Sequence, residues 1–141
     1  MQKMSSTGSK KGRTQIMTAK NQTPLEWAEK QKINKENKDD KDIIIAMEDL
    51  KHQYIKESLK KQAAEKAKAE GNEDAWGDAQ QEYEDATDCR KEAQRSLLFE
   101  AYNRASKPTT KNGWTDNQRV MAATILFGFL ESIVIAEAGG R

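Results

Sequence analysis

The segment from Val120 to Ala136 constrains the fold of this chain more than any other. Its seventeen residues, VMAATILFGFLESIVIA, contain no basic group and a single acid, Glu131. A helix that is apolar on nearly every face has to be covered on nearly every face. The chain as a whole is polar, with 35% hydrophobic and 33% charged residues. The sequence therefore predicts that any sizeable core is built around this segment.

The middle of the chain has the composition of long helices. Lys, Glu, Gln and Ala dominate it, and the whole chain has only two prolines. Apolar residues recur at helical spacing in two stretches. The first stretch carries Ile43, Met47, Leu50 and Tyr54, continued by Ile55, Leu59, Ala63 and Ala67. The second carries Ala79, Tyr83, Ala86, Ala93 and Leu97, interrupted by Arg90.

The charges of these two stretches favour packing one helix against the other. Residues 51–68 carry six lysines and two glutamates, whereas residues 73–92 carry eight acids and two basic residues. An antiparallel hairpin that turns near Gly71 brings the opposite charges together. Each exposed pair contributes only about 0.2–1 kcal/mol, so the charges select the partner and direction while the core supplies stability. The pairing predicted is of Lys56, Lys60 and Lys61 with Glu82, Glu84, Asp85 and Asp88.

We therefore predict an all-α fold in four parts. Residues 1–22 form a flexible basic tail, 23–37 a helix that is short or loosely docked, 41–106 the antiparallel hairpin, and 115–138 the apolar C-terminal helix. The motifs TPLE at 23–26 and TDNQ at 115–118 each fit a capping box that starts a helix. A hinge or fraying is expected around 34–40, where the apolar pattern is diluted.

The basic tail is a candidate for phosphate binding. It contains no acid and no aromatic residue, so it predicts at most salt-sensitive, sequence-independent contact with nucleic acid, or with an anionic membrane surface. A solvating tail is the simpler interpretation. The candidate contacts are Lys3, Lys10, Lys11, Arg13 and Lys20.

The sequence contains no catalytic, cofactor or metal motif. His52 is the only histidine and is expected on a solvated helix surface, and the single cysteine, Cys89, is expected in the helix seam. We therefore predict no enzymatic activity, no cofactor and no metal site. Glu131 is a candidate buried acid, with Arg119 or Arg104 as its expected partner.

Protein and lipid are the two possible surroundings of the apolar helix. Seventeen residues span about 25 Å, less than the roughly 30 Å of a bilayer core, and Glu131 lies within that span. The leading prediction is therefore burial against a second copy or another protein partner, with membrane insertion as the alternative and burial within one chain as a further one. The predicted interface residues are Ile125, Leu126, Phe129, Leu130, Ile133 and Val134.

These predictions describe a non-enzymatic structural or assembly protein that forms a homo-oligomer or docks in a larger complex. The layout of tail, hairpin and apolar helix is that of small virion-type scaffold, connector or packaging components, an analogy of architecture alone. The alternatives are a membrane-associated protein or a nucleic-acid-binding accessory protein. The polar N-terminus has no apolar signal region, so the expected location is the cytoplasm or a macromolecular assembly.

Overall fold

The computed structural model describes residues 22–107 and 113–139, which fold into four α-helices and one 3-10 turn without a β-strand. Helix α1 spans Pro24–Lys30, the 3-10 turn Lys38–Asp40, α2 Lys41–Ala69, α3 Glu73–Ala105 and α4 Asp116–Glu137. The predicted all-α class and the packed hairpin of α2 and α3 are confirmed. The tail residues 1–21, with all five candidate phosphate contacts, lie outside the described residues.

Local sequence signals fix where the helices begin. Thr23 and Glu26 form the predicted capping box of α1, with reciprocal hydrogen bonds of 3.0 and 3.1 Å. Thr115 and Gln118 do the same at the start of α4. Between α2 and α3, Gly71 adopts a positive φ of 77°, a conformation that glycine accepts without steric cost.

The hairpin seam follows the predicted stripes only in part. In α3, Ala86, Ala93 and Leu97 are buried as expected. In α2, Ile43, Leu50 and Ala67 are buried as expected. The predicted continuation through Leu59 and Ala63 is wrong: Leu59 is 58% exposed, and Ala64 is buried in place of Ala63. The true stripe passes through a polar residue, Glu57, which a search for apolar spacing passes over.

Glu57 is accommodated by the residue that interrupts the other stripe. Arg90 donates through Nε and Nη2 to the two oxygens of the Glu57 carboxylate, at 3.1 and 3.2 Å. Burial acts to raise the pKa of Glu57, but the hydrogen bond and positive charge of Arg90 outweigh burial and lower this pKa. The predicted pairing of α2 lysines with α3 acids is represented by Lys60 and Glu82, at 2.5 Å.

The first helix is docked more firmly than predicted. Trp27 is 4% exposed, and its ring meets that of Trp114 edge to face, with centroids 6.0 Å apart. Through this pair, α1 packs on α4. Of the two expectations for this helix, the short one holds, since α1 ends at Lys30, before the predicted limit of 37. The loosely docked one is wrong, because the buried Trp27 holds the helix.

The segment around 34–40, where a hinge or fraying is predicted, is a connection held by polar contacts. Asp40 is 1% exposed and pairs with Arg104 of α3. The second Asp40 carboxylate oxygen accepts the Asn34 backbone N–H at 2.8 Å. Arg104 also donates to Gln31 at 2.9 Å, which ties the connection between α1 and α2 to the base of the hairpin.

The main core lies where α4 crosses the base of the hairpin. Leu50, Leu97, Leu126 and Val134 are its fully buried large apolar residues. Small residues of α3 and α4 surround them and let the helix backbones approach closely: Ala93, Ala101, Ala105, Ala122 and Ala123. The tip of the hairpin has a separate, smaller set of buried alanines at 64, 67 and 86. Burial of α4 by its own chain is therefore extensive on one side only.

Candidate functional site: the outer face of the C-terminal helix

The predicted interface residues of α4 divide into two groups. Leu126, Leu130 and Val134 are at most 4% exposed and belong to the core of their own chain, so they are not available to a partner. Phe129 and Ile133 are 42% and 47% exposed, and Ile125 between the two groups is partly buried. The hairpin and α1 together cover one half of α4, and the other half remains open.

We call the open half the outer face. Over residues 120–136 it is made only of uncharged side chains, four of them large and apolar. Thr124 donates its hydroxyl hydrogen to the Val120 carbonyl at 2.8 Å, and Ser132 donates to the Gly128 carbonyl at 3.0 Å. These two hydroxyl donors are therefore satisfied within the helix. The outer face consists of Val120, Met121, Thr124, Gly128, Phe129, Ser132, Ile133 and Ala136.

The one acid of the segment points inward. The Glu131 carboxylate accepts hydrogen bonds from the Tyr54 hydroxyl at 2.8 Å and from Gln94 Nε2 at 2.6 Å. Gln94 Nε2 also lies 3.0 Å from the Tyr54 hydroxyl. Glu131 is partly buried between α2 and α3, and turning it inward leaves the outer face without a charge.

Within the described chain, the two arginines expected beside Glu131 are engaged elsewhere. Arg104 pairs with Asp40 at the base of the hairpin, and Arg119 donates to Asp116 at 2.6 Å. Arg90 approaches this cluster, and its guanidinium lies 5.7 Å from the centre of the Tyr54 ring. The sequence offered no signal for Tyr54 and Gln94 as partners, because they lie 77 and 37 residues away from Glu131.

The surroundings of Tyr54 perturb its hydroxyl. Burial, and then the hydrogen bond to Glu131, raise the pKa of Tyr54 to about 12. The neutral hydroxyl is thus the form that the fold stabilises. Tyr54 holds α4 in one rotational position, with Glu131 inward and Phe129 outward.

An apolar groove adjoins the outer face on the side of α2. It has a volume of 270 Å³ and is lined by α2, α4 and the segment after α1. Ile133 belongs to both the groove and the outer face. The apolar lining of the groove is formed by Ile33, Ile44, Met47, Leu130 and Ile133. The charged rim of the groove is formed by Lys35, Glu48, Lys51 and Glu137.

The single histidine and the single cysteine lie on different helices. His52 is exposed on α2, and Cys89 is exposed on α3, so its predicted place in the seam is wrong. In the described part of the chain, no three His, Cys, Asp or Glu residues are grouped so that they could hold a metal ion. A larger groove of 450 Å³ lies beside the end of α4, where Arg90 is already engaged by Glu57.

The fold and the outer face define an all-α protein in which a polar helical hairpin carries an apolar helix that is only half covered. By length and composition alone, α4 is the one helix within 22–107 and 113–139 that could cross a membrane, and 28% of its most apolar stretch is buried. No family model matches the chain, and no match was found among curated proteins or solved structures.

Proposed function

We propose that this protein is a non-enzymatic assembly module that self-associates through the outer face of α4. The observation that carries the proposal is the inward turn of Glu131, which leaves eight uncharged residues in one continuous exposed strip. Exposed apolar patches of this kind usually mark interaction surfaces. The hairpin serves as the scaffold that orients the strip.

The balance of charge agrees with self-association. The formal net charge of the chain is +1, so two copies approach each other without a large long-range repulsion. The hydroxyl donors of Thr124 and Ser132 are satisfied inside the helix, so burying them at an interface leaves no donor unpaired.

Light scattering coupled to size-exclusion chromatography tests the proposal. At micromolar concentration and without detergent, we expect a defined oligomer for the full chain and dissociation for Phe129→Glu. The matched control is Phe99→Glu, which places the same charge at a phenylalanine that is 61% exposed on α3. Leu130 is unsuitable for this test because a charge there would also disrupt the core. A monomeric wild-type protein would contradict the proposal.

Membrane association is the second candidate, and the length and composition of α4 favour it. Full insertion would remove Leu126, Leu130 and Val134 from the core and separate Glu131 from Tyr54 and Gln94. An acid inside the bilayer adds a few kcal/mol to that cost. Flotation with vesicles of zwitterionic and of anionic lipid distinguishes the candidates: we expect the oligomer to stay in the lipid-free fraction, and co-flotation would favour the membrane.

A further inference from the structure

Phe129 lies one helical turn before Ile133, which forms one wall of the α2–α4 groove. The phenyl ring is 42% exposed, and the groove is open to solvent beside it. An exposed aromatic side chain and an apolar groove thus lie next to each other on the same surface of the protein.

We propose that a second copy of this chain fills the groove: Phe129 of each copy inserts into the α2–α4 groove of the other across a two-fold axis. This inference rests on the proposed self-association and specifies its geometry. A two-fold interface places one surface patch against the same patch of the partner, so a projecting side chain and its receiving groove must both lie on that patch. Phe129 and the groove meet this requirement.

The groove has the size and lining that a phenyl ring needs. An apolar cavity of about 150 Å³ is large enough to bind benzene, and this groove measures 270 Å³. Its apolar walls are the side chains of isoleucine, leucine and methionine, and methionine adapts readily to an incoming ring. Aromatic side chains that insert into such pockets supply much of the binding energy of many interfaces.

The groove also supplies contact area that the helix lacks. A specific interface buries at least about 1,000 Å² in total, and the outer face is a strip only one helix wide. Including the groove extends the contact onto α2 and onto the segment around Ile33. The interface then has an apolar centre and a charged rim, as specific interfaces commonly do.

The charges at the rim favour a second copy over a strongly charged partner. The rim carries two lysines and two glutamates, which pair within the chain as Lys35 with Glu48 at 3.7 Å and Lys51 with Glu137 at 4.0 Å. Both pairs are exposed, so they can exchange partners across an interface. A rim of one sign would repel itself across a two-fold axis, whereas this balanced rim does not.

A mixing experiment tests the reciprocal insertion. One variant, Phe129→Ala, lacks the inserting ring, and the other, Met47→Trp, fills the groove. Each homodimer loses both insertions, so we expect its dissociation constant to rise about tenfold or more. In a mixed dimer, Phe129 of the Met47→Trp copy still finds the open groove of the Phe129→Ala copy. The mixed dimer should therefore be tighter than either variant homodimer.

Fluorescence anisotropy measures these constants, with a dye on Cys89, the single cysteine, which is exposed on α3. Phe99→Ala is the control and should leave association unchanged. Circular dichroism checks that the variants fold; if Met47→Trp does not fold, Glu48→Trp covers the groove from an exposed rim position and replaces it.

The outcomes separate the inference from the proposal on which it rests. If the mixed dimer is no tighter than the variant homodimers, reciprocal insertion is overturned. If Phe129→Ala and Met47→Trp associate like the wild type while Thr124→Glu dissociates the oligomer, α4 still mediates assembly and only the groove contact is wrong. A wild-type chain that stays monomeric overturns both.

Discussion

The Tyr54 hydroxyl donates a 2.8 Å hydrogen bond to the Glu131 carboxylate, linking α2 to α4 across 77 residues of sequence. This bond sets the rotation of α4, because it fixes the only ionisable side chain between Val120 and Ala136 on the inner side. The uncharged outer face is its consequence. One partly buried polar contact therefore links the packing of α4 to the uncharged character of its outer face.

Tyr54→Phe should lower the free energy of unfolding by about 1–2 kcal/mol at neutral pH, because Glu131 loses a donor in a partly buried position. The pKa of Tyr54 is raised to about 12 from an ordinary value of 10.0. The stabilisation is then fully present below pH 10 and is lost as the pH rises through 12. The difference between wild type and Tyr54→Phe should shrink over this range. Urea unfolding followed by circular dichroism measures it.

Tyr102→Phe is the matched control, because it also removes a partly buried tyrosine hydroxyl that packs against the core. At neutral pH it should cost less stability than Tyr54→Phe, because the Tyr54 hydroxyl donates to a partly buried carboxylate. An equal loss in the free energy of unfolding for the two variants would show that Tyr54 has no special role in holding Glu131.

Asp40→Ala should destabilise the fold by about 3 kcal/mol, the low end of the range for breaking a buried ion pair, since Arg104 retains some exposure. Burial acts to raise the pKa of Asp40, but hydrogen bonds from Asn34 and Arg104 outweigh burial and lower this pKa below 3.8. This contribution is present above pH 3.8 and is lost as the pH falls through the lowered pKa. The wild type should therefore lose its advantage over Asp40→Ala in strong acid.

Thermal unfolding between pH 2 and 7 measures this loss. Asp39→Ala, one residue away and exposed, provides the control and should change stability by less than about 0.5 kcal/mol. If Asp40→Ala were as mild as Asp39→Ala, the connection between α1 and α2 would not depend on Arg104.

The helices could be predicted from the sequence because their signals are local. The capping boxes at Thr23 and Thr115 need only three following residues, and the apolar spacing of Ile43 and Leu50 reports one helix face. The charge difference between two neighbouring stretches was sufficient to predict the antiparallel hairpin. These features depend little on where the rest of the chain lies.

The polar partners could not be predicted, because long-range placement decides them. Asp40 stands in a run of charged residues and looks like any solvated acid until α3 brings Arg104 beside it. Glu57 and Arg90 each interrupt an apolar stripe, yet together they complete the seam. The open groove was likewise beyond sequence reasoning, because its lining comes from three separate segments.

Trp27→Ala should lower the free energy of unfolding by about 3–5 kcal/mol, as truncation of a buried aromatic residue usually does. The causes are the lost burial of the indole ring and the cavity left behind, together with the lost edge-to-face contact with Trp114. Urea unfolding measures the change, with Leu25→Ala as control because Leu25 is 48% exposed on the same helix. A loss of stability no greater than that of Leu25→Ala would indicate that α1 is loosely docked after all.

Gly128 lies in the interior of α4, where a glycine costs about 1 kcal/mol relative to alanine. Apart from its chain neighbours and the backbone of its own helix, an added Cβ would meet no described atom within 4 Å, so the fold does not require a glycine there. Gly128→Ala should therefore raise the stability of the isolated chain by about 0.5–1 kcal/mol, measured by urea unfolding at a concentration where the protein is monomeric.

The same substitution that stabilises the isolated chain, Gly128→Ala, should weaken self-association. If a helix of a second copy packs over the outer face, a side chain at this position separates the two backbones, so Gly128→Ala weakens the oligomer and Gly128→Leu weakens it further. Gly77→Ala supplies the control, since Gly77 also lies in a helix with nothing within 4 Å of an added Cβ, but on α3. It should stabilise the chain and leave the oligomer unchanged. Analytical ultracentrifugation of the three variants measures the effect, and tighter association of Gly128→Leu would place the contact away from this part of α4.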